Sequence, residues 1–419
     1  SLPSTPVTGA DQRVSMDDYE YGLPEDAIAQ RPIEPRSAAR MLVDAAASGT
    51  PGVDHATVAD LPRYLRPGDV LVVNQTRVLA ARLTLVKETG GAAEVLLLEP
   101  AQSEPAQLEP AQAEPAQPEQ TQPEPAQPEQ TQFEPAQPEQ TQFGSVPPDA
   151  TDTSAPAVWE ALVRPGRRLP PGTRLWEAGG PDPVVEVGEP VAGHEDGRRW
   201  VRLIDPSVVD RAGSMPLPPY IHTPLDDPDR YQTVYWAPSD PGAQSTAAPT
   251  AGLHLTPAVL DACRQAGATI ATVDLAIGLD TFRPVTAATP EGHVIHTERY
   301  AVPAATMEAC RVASRVVAVG TTTVRALESA AATGRLAGRT DLYIHGAYSF
   351  RVVDVLLTNF HMPRSTLLLL VEAFCGPEWR DLYATALDQG YRFLSFGDAM
   401  LVARSGQQLP DRPDGGAAR

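Results

Sequence analysis

The sequence predicts an α/β domain with an inserted antiparallel β-barrel domain, and a disordered Pro/Glu/Gln repeat loop within the barrel. Three observations lead to this fold class. Short strand patterns separated by Pro-Gly turns fill the region from about residue 65 to 205. Helix and strand patterns alternate after residue 216, and a five-residue repeat interrupts the barrel region.

The β-barrel domain is predicted over residues 65–205. Its strand patterns include DVLVVN from Asp69 to Asn74, the stretch from Val78 to Val86, and VWEALVR from Val158 to Arg164. Apolar residues recur in these segments at the spacing of buried or half-buried strands, and Pro-Gly dipeptides separate them. We therefore expect these strands to form one small antiparallel barrel.

A low-complexity insert occupies residues 99–143, where Glu-Pro-Ala-Gln and Pro-Glu-Gln-Thr-Gln units recur. It has almost nothing apolar to bury and a proline in most units, so burial cannot offset the entropy cost of ordering it, and we predict disorder. AEVLLL precedes the insert and VWEALVR follows it, and both resemble strands, so the insert is interpreted as an expanded hairpin connection. It is either a spacer or a docking tail for a partner.

The α/β catalytic domain is predicted from residues 16–64 and 206–405, with a flexible N-terminus at 1–15 and a flexible tail at 406–419. In its larger part, helix patterns such as Thr256 to Gly267 alternate with apolar strand patterns. The latter include Val316 to Val319 and Asp341 to Ile344. This alternation is typical of an α/β sheet.

The composition limits the class of protein. The 419 residues include three widely spaced cysteines, each in an apolar stretch, so neither a disulfide framework nor a cysteine zinc site is expected. The first thirty residues lack a basic segment followed by an apolar run, and no apolar stretch reaches the roughly 18 residues of a membrane span. We expect a cytoplasmic monomer without membrane contact.

The net charge of -20 is unusual for a protein that binds RNA, because phosphates are bound by Lys and Arg. The insert contributes nine glutamates and no Asp, Lys or Arg, and without them the net charge is -11. Net charge affects solubility and steering more than fold. Binding to RNA would therefore need a local basic patch.

The segment RVVAVGTTTVRALES predicts a buried strand, a glycine turn and a helix. Its helix start carries three hydroxyl groups, from Thr321, Thr322 and Thr323. Hydroxyls and free backbone N–H groups at such a position suit a carboxylate or a phosphate. Arg325 could bind a carboxylate through two N–H groups, or it could form an ordinary i,i+3 pair with Glu328.

The segment TNFHMPRSTL places Asn359, His361 and Arg364 between an apolar strand and an apolar helix. Open α/β sheets bind ligands at the carboxyl ends of their strands. His361 could act as a general acid or base, although a lone histidine is as often a structural hydrogen-bonding group.

The segment AAPTAGLHLT contains Thr250, Gly252 and His254. Small residues let backbone approach a ligand closely. The alternative is a tight turn with an exposed histidine. Further along, HVIHTERY has a His-x-x-His spacing followed by Glu298, but this ligand set is too small for a zinc site, and no metal is expected.

Further candidates lie in other polar segments. IAQRPIEPR and NQTRVLAAR supply Arg31, Arg36, Arg77 and Arg82, which could contact phosphate or carboxylate groups or could simply be solvated. RYQTVY contains Tyr231 and Gln232, an aromatic and amide pair that could stack on a base and hydrogen-bond it.

Taken in order along the chain, eight motifs resemble the S-adenosylmethionine:tRNA ribosyltransferase-isomerase family of queuosine biosynthesis. They are IAQRP, NQTRV, PLPPYI, RYQTVY, APTAGLH, GTTTVRALES, TNFHMPRSTLL and YRFLSFGDAM. The resemblance extends from about residue 16 to 403, except for the repeat insert, which has no counterpart in the family pattern. The family architecture, an α/β domain with an inserted β-barrel, agrees with the pattern-based prediction.

The resemblance implies an enzyme that uses S-adenosylmethionine as cosubstrate. Its ribosyl group would be transferred and isomerised onto 7-aminomethyl-7-deazaguanine at the wobble position of tRNA, giving epoxyqueuosine, adenine and methionine. The sulfonium acidifies the C5′ hydrogens, so a base can start the reaction and an acid can help adenine leave. Such a site needs a carboxylate clamp, an acid, a base and exclusion of water.

From this resemblance we hypothesise three groups of site residues. The catalytic group is His254, His361, Asp398 and Asn359. The group that binds the cosubstrate is Thr321, Thr322, Thr323, Arg325, Gly252 and Thr250. The group that binds the tRNA is Arg77, Asn74, Arg31, Tyr231, Gln232 and Arg364.

Several positions depart from the family pattern, among them Gln75, Ala276 and Asp280. Ala276 stands where the family commonly has a histidine, and Asp280 where it has a glycine. A missing imidazole and an added carboxylate would permit altered proton transfer or another acceptor. The alternatives are a diverged paralogue that cleaves S-adenosylmethionine and modifies a small-molecule acceptor, or a non-catalytic RNA-binding protein.

Overall fold

The computed structural model describes residues 14–101, 158–193, 197–237, 244–278 and 284–406. No helix within these ranges is both long and apolar enough to cross a membrane. Most of the expected flexible N-terminus, of the repeat insert and of the expected flexible tail lies outside them. All three cysteines lie inside them and are buried, and burial raises the pKa of each thiol.

The described residues form eighteen strands and seven α-helices, joined by short 3₁₀ turns. The strands are β1 (Arg40–Val43), β2 (Asp54–Thr57), β3 (Asp69–Asn74), β4 (Arg77–Val78), β5 (Arg82–Lys87), β6 (Ala92–Pro100), β7 (Val158–Arg164), β8 (Arg174–Trp176), β9 (Pro183–Pro190), β10 (Arg198–Leu203), β11 (Gly213–Ser214), β12 (Gln244–Ser245), β13 (Thr269–Leu275), β14 (Glu298–Ala301), β15 (Arg315–Val319), β16 (Ala337–Thr340), β17 (Val355–Asn359) and β18 (Ala399–Ala403). The helices are α1 (Ala45–Ser48), α2 (Val208–Ala212), α3 (Pro257–Gln265), α4 (Ala304–Val312), α5 (Thr321–Thr333), α6 (Thr366–Cys375) and α7 (Trp379–Asp388).

The larger sheet has nine strands in the order β16-β14-β13-β3-β15-β17-β18-β1-β2. Its central strands β13, β3, β15 and β17 are parallel, whereas β18 is antiparallel to β17. Apolar residues of α5, α6 and α7 belong to the core on one face, and those of α3 to the core on the other. Strands β3 and β15 are buried along their whole length, as expected for parallel strands covered on both faces.

The second sheet is a closed antiparallel barrel. Six strands follow in the order β5-β6-β7-β10-β9-β8, and β8 pairs back with β5, while the short β11 is added to β5. Because the barrel is closed, the backbone N–H and C=O groups of β5 and β8 hydrogen-bond each other, and neither strand is left as an open edge there. Residues such as Leu83, Val95, Val185 and Val201 are fully buried inside it. The predicted combination of a barrel with a second, helix-covered sheet is confirmed.

One strand was assigned to the wrong sheet. DVLVVN, predicted as part of the barrel, is β3, and it lies between β13 and β15 in the larger sheet. The physical reason is that all six of its residues are buried, whereas a strand of a small barrel has one face outward. The barrel region also continues beyond residue 205, because Val208 and Val209 of α2 pack into the barrel core.

Two other predictions concern connections. The segment 341–344, predicted as a strand, is irregular and follows the end of β16 at Thr340. At the repeat, β6 and β7 are antiparallel neighbours with Pro100 opposite Trp159, as the hairpin interpretation requires. The predicted disorder of the insert concerns residues outside the described ranges.

A buried ion pair holds two central strands in register. Arg315, at the start of β15, donates to both carboxylate oxygens of Asp69, at the start of β3, over 3.0 and 2.5 Å. The two side chains are 2% and 0% exposed. The same guanidinium donates to the Tyr64 carbonyl, and the Arg66 N–H donates to Asp69. Together these hydrogen bonds offset the large free-energy cost of moving the two charges out of water.

Replacing Arg315 with Met should therefore destabilise the protein by about 3–5 kcal/mol, because the Asp69 carboxylate would remain buried without its cation. The free energy of unfolding measured by urea titration tests this. The matched control is Arg311→Met, which removes an exposed arginine paired with Glu308 and should cost less than about 1 kcal/mol. Equal stability of the two variants would contradict the role given to Arg315.

Candidate active site

The carboxyl ends of the four parallel strands bring several predicted motifs to one edge of the larger sheet. After β15, Gly320 adopts φ = 90°, a conformation that favours glycine, and α5 then begins at Thr321. After β17, the chain enters the loop that carries His361. This edge is where open α/β sheets bind ligands.

Two adjoining spaces open at this edge. The first, the crevice, is lined by polar side chains from three motifs, namely Thr250, Thr321, Thr322, Thr358, Asn359 and His361. The second, the large cavity, has a volume of about 300 Å³. Leu367, at the start of α6, lines both spaces.

The large cavity lies between the barrel and the larger sheet. The barrel side chains that line it are Leu98, Glu99, Leu162 and Arg198. The opposite wall comes from the ends of β13 and β14, from α5 and α6, and from the irregular segment that contains Leu342 and Tyr343. Thus two separately folded sheets contribute to one cavity, as is common for small-molecule sites.

Arg325 is a buried cation in the wall of the large cavity. Its Nη1 forms a buried ion pair with Glu298, and its Nε donates to the Leu342 carbonyl over 3.1 Å. Its Nη2 is buried and has no hydrogen-bond partner among the described residues. The i,i+3 pairing with Glu328 is wrong, since that carboxylate accepts the backbone N–H groups of residues 351–353.

Asn359 connects the motifs through a hydrogen-bond network. Its side-chain N–H₂ donates to the His254 Nε2 over 3.1 Å and to the Leu394 carbonyl over 3.2 Å. Its Oδ1 accepts from the Thr250 hydroxyl over 3.2 Å. The amide thus fixes the position of the groups around the crevice, and it also lines the crevice itself.

The two predicted catalytic histidines are buried and neutral at pH 7. Burial lowers the pKa of His254 to about 4 and the pKa of His361 to about 3, with Arg392 and Arg36 adding to the effect on His254. His361 Nε2 lies 2.9 Å from the Thr358 hydroxyl. His361 lines the crevice, whereas His254 faces a separate small space on the far side of Asn359. The alternative of an exposed histidine at 254 is wrong.

Three other predicted residues have structural contacts. The Asp398 carboxylate accepts the backbone N–H groups of Arg40 and Arg392 over 3.0 and 2.8 Å. The Thr323 hydroxyl donates to the Val319 carbonyl over 2.6 Å. Gly252 is required for packing, since a Cβ there would lie 1.9 Å from the Tyr235 hydroxyl oxygen. These contacts are to the backbone and the core, and none of the three residues lines the large cavity or the crevice.

Three predicted tRNA-binding residues are also buried in the fold. The Asn74 side chain bonds the Leu275 backbone and the Thr322 hydroxyl. The Gln232 amide pairs with both backbone groups of Val78, over 3.0 and 2.7 Å. Tyr231 is fully buried against Phe396. The idea that Tyr231 and Gln232 stack on and bond a base is therefore wrong, since neither side chain reaches the surface.

The three predicted arginines outside the core differ in their partners. Arg31 is exposed and pairs with Asp226 at 2.8 Å, and Arg364 pairs with Asp17. Arg77 is exposed and its guanidinium lies 4.7 Å from the centre of the Trp236 ring. Arg77 makes no ion pair with any other described residue, so its charge is available to a partner.

Several residues that line the large cavity were not predicted as site residues from the sequence. His293, His296 and Glu298 were considered only as a metal pattern, and all three line the cavity. Ala276 also lines it, so the departure from the family pattern at this position lies at the site, while Asp280 falls outside the described residues. A signal existed for His293 and His296, since both lie in a polar segment directly before β14.

The pKa values of His254 and His361 make the stability of the fold pH-dependent. In the unfolded chain both histidines bind protons below about pH 6.5, but in the folded protein they do so only near pH 4 and 3. The stabilisation is complete above pH 6.5 and is lost as the pH falls towards 4, by up to about 1.4 kcal/mol per pH unit for each histidine.

Urea unfolding of the wild type and of His361→Gln between pH 7 and 4 tests this. The variant should lose the contribution of one histidine, so its free energy of unfolding should fall less steeply with decreasing pH. An identical slope for both proteins would contradict a buried, neutral His361.

The chain was compared with known proteins. It matches the family model described as "Queuosine biosynthesis protein" over residues 16–402. An S-adenosylmethionine:tRNA ribosyltransferase-isomerase from Rubrobacter xylanophilus is 42% identical over 94% of this chain and 99% of that protein. The enzyme of the same name from Thermus thermophilus is 41% identical over 92% of this chain and 99% of its own length.

Among solved structures, an S-adenosylmethionine tRNA ribosyltransferase from Thermotoga maritima is 29% identical and covers 92% of this chain and 99% of its own, with a TM-score of 0.44. The family model and the two relatives above each match more than nine-tenths of the sequence. The chain belongs to the family of queuosine biosynthesis proteins.

Proposed function

We propose that this chain transfers and isomerises the ribosyl group of S-adenosylmethionine onto 7-aminomethyl-7-deazaguanine at the wobble position of tRNA, with release of adenine and methionine. Family membership and the names of relatives at 41–42% identity support this. These relatives are named for tRNA, so a small-molecule acceptor has no support here. A non-catalytic RNA-binding role is not favoured either.

The proposed site rests on Arg325, which lines the large cavity and whose buried Nη2 has no hydrogen-bond partner among the described residues. A buried donor without a partner costs about 1–3 kcal/mol, so a ligand that supplies an acceptor is bound favourably there. The cavity volume of about 300 Å³ is at the lower end of the range for small-molecule sites. We assign the carboxylate of S-adenosylmethionine to this guanidinium.

The crevice supplies positioning groups for the same substrate. Thr321 and Thr322 offer hydroxyls and backbone N–H groups at the start of α5, and Thr250 is held by Asn359. His361 is neutral, so it can orient a substrate by hydrogen bonding but holds no proton to donate as an imidazolium at pH 7. We assign proton transfer to His293 and His296, which line the large cavity.

The tRNA would need a local contact, because the chain is acidic. The exposed Arg77 and Trp236 provide one, since a guanidinium stacked on an indole presents both a cation and an aromatic face. This pair lies close to the large cavity along the backbone. Arg77 in β4 is opposite Gln244 in β12, and Thr246, two residues further, lines the cavity.

The proposed activity is measured by incubating the protein with S-adenosylmethionine, with or without tRNA that bears 7-aminomethyl-7-deazaguanine, and following adenine release and the mass of the tRNA nucleoside. Adenine release that requires the tRNA, with the matching nucleoside mass, is the expected result. Release without tRNA, or none at all, would contradict the proposal.

In this assay, Arg325→Lys should lower kcat/KM by about 10- to 150-fold, because an ammonium lacks the planar fork and a charge-assisted hydrogen bond is worth about 1.5–3 kcal/mol. The lysine still neutralises Glu298, so the fold should persist, which thermal unfolding can verify. Arg351→Lys, at an exposed arginine away from both spaces, is the matched control. Wild-type kcat/KM in Arg325→Lys would remove Arg325 from the site.

Replacing Trp236 with Ala should raise the KM for tRNA by about tenfold, because stacking of one base on an aromatic side chain is worth about 1–3 kcal/mol. Trp236→Phe, which keeps an aromatic face, should retain most of the affinity. Val312→Ala, at another exposed apolar residue, is the control. If Trp236→Ala leaves the KM for tRNA unchanged, the stacking contact does not exist.

A further inference from the structure

A second donor in the large cavity lacks a partner. Tyr343 lines the large cavity. Its hydroxyl is buried and makes no hydrogen bond within the described part of the chain. No motif or family resemblance pointed to Tyr343. Like Arg325 Nη2, this hydroxyl is a buried donor on a residue that lines the large cavity.

The structure holds Tyr343 firmly in place. Its ring lies 5.7 Å from the His293 ring in an edge arrangement and 4.5 Å from the His345 ring. The preceding carbonyl, of Leu342, accepts the Nε–H of Arg325. This hydrogen bond ties the irregular segment after β16, which carries Tyr343, to the Arg325 guanidinium.

The Tyr343 hydroxyl is available as a donor at neutral pH. Burial, aided by the charge of Glu291, raises its pKa to about 12, so the O–H remains protonated. A phenol can also accept a hydrogen bond, but Arg325 Nη2 can only donate. A ligand group that satisfies both must therefore be an acceptor.

Among the described residues that line the cavity, the two acidic side chains already have partners. Glu298 accepts from Arg325 Nη1 and from the Gly278 N–H, over 3.0 Å in the latter case. Glu99 is paired with Arg339 at 2.7 Å. The acceptor for the two unpartnered donors is therefore expected from a ligand. A carboxylate has two oxygens, each able to accept one of them.

We propose that Tyr343 and Arg325 together bind the carboxylate at the amino-acid end of S-adenosylmethionine, with Tyr343 as a substrate-binding residue for that group. This inference rests on the proposed function. Arg325 supplies the charge, and Tyr343 supplies a second, neutral donor. Two donors on different segments restrict the rotation of the carboxylate, and hence the direction in which the rest of the substrate extends.

The test is Tyr343→Phe, which removes one oxygen atom and keeps the ring that packs on His293. Binding of S-adenosylmethionine is compared with binding of its decarboxylated analogue, which keeps the sulfonium, the amine and the adenosine, by calorimetry on the full-length protein. Tyr348→Phe is the matched control, because Tyr348 is also half-buried but its hydroxyl contacts Glu328, away from the cavity.

The variant should bind S-adenosylmethionine about five- to tenfold more weakly, while its affinity for the decarboxylated analogue should stay within twofold of wild type. Tyr348→Phe should bind both ligands as wild type does. An equal loss for both ligands, or no loss for either, would overturn the assignment to the carboxylate. In the latter case, tRNA-dependent adenine release by the wild type would still leave the proposed function in place.

Discussion

The buried pair of Arg325 and Glu298 is the interaction on which the large cavity depends. It links α5 to β14, and the second oxygen of Glu298 accepts the N–H of Gly278, in the segment that follows β13. The same guanidinium fixes the Leu342 carbonyl. Two charges are costly to remove from water unless each is well paired. With these contacts made, Nη2 is the one nitrogen of the Arg325 guanidinium that has no hydrogen-bond partner among the described residues.

The inserted barrel gives this edge of the sheet a second wall. Open α/β sheets usually bind ligands at the carboxyl ends of their strands, where loops alone shape the site. Here the ends of β6, β7 and β10 face that edge, and the Glu99–Arg339 pair connects β6 to β16. A reaction that starts by removing a proton beside a sulfonium benefits from such enclosure, because fewer water molecules compete for reactive groups. Arg77 and Trp236 are both exposed, and neither lines the large cavity.

The fold class could be predicted from the sequence because strand and helix periodicities are local. DVLVVN was placed in the wrong sheet because it lies next to the barrel strands in the sequence, whereas its pairing partners β13 and β15 lie far along the chain. For the site, the sequence singled out Arg325 because it lies one turn into a helix that follows a strand and a glycine, and the structure places it in the wall of the large cavity. Asp398 and Gln232 looked equally functional, yet their polar atoms satisfy backbone groups. Nothing in the sequence singled out Tyr343, because a buried hydroxyl without a hydrogen-bond partner can be recognised only in the folded structure.

A crystal structure of the protein with S-adenosylmethionine bound is the most direct test of whether Arg325 binds the amino-acid end of this substrate in the large cavity. We expect a carboxylate oxygen about 2.7–2.9 Å from Arg325 Nη2, as in other charge-assisted hydrogen bonds. A ligand whose carboxylate lies in another place, with Nη2 still unpartnered or bonded to the adenine, would contradict it.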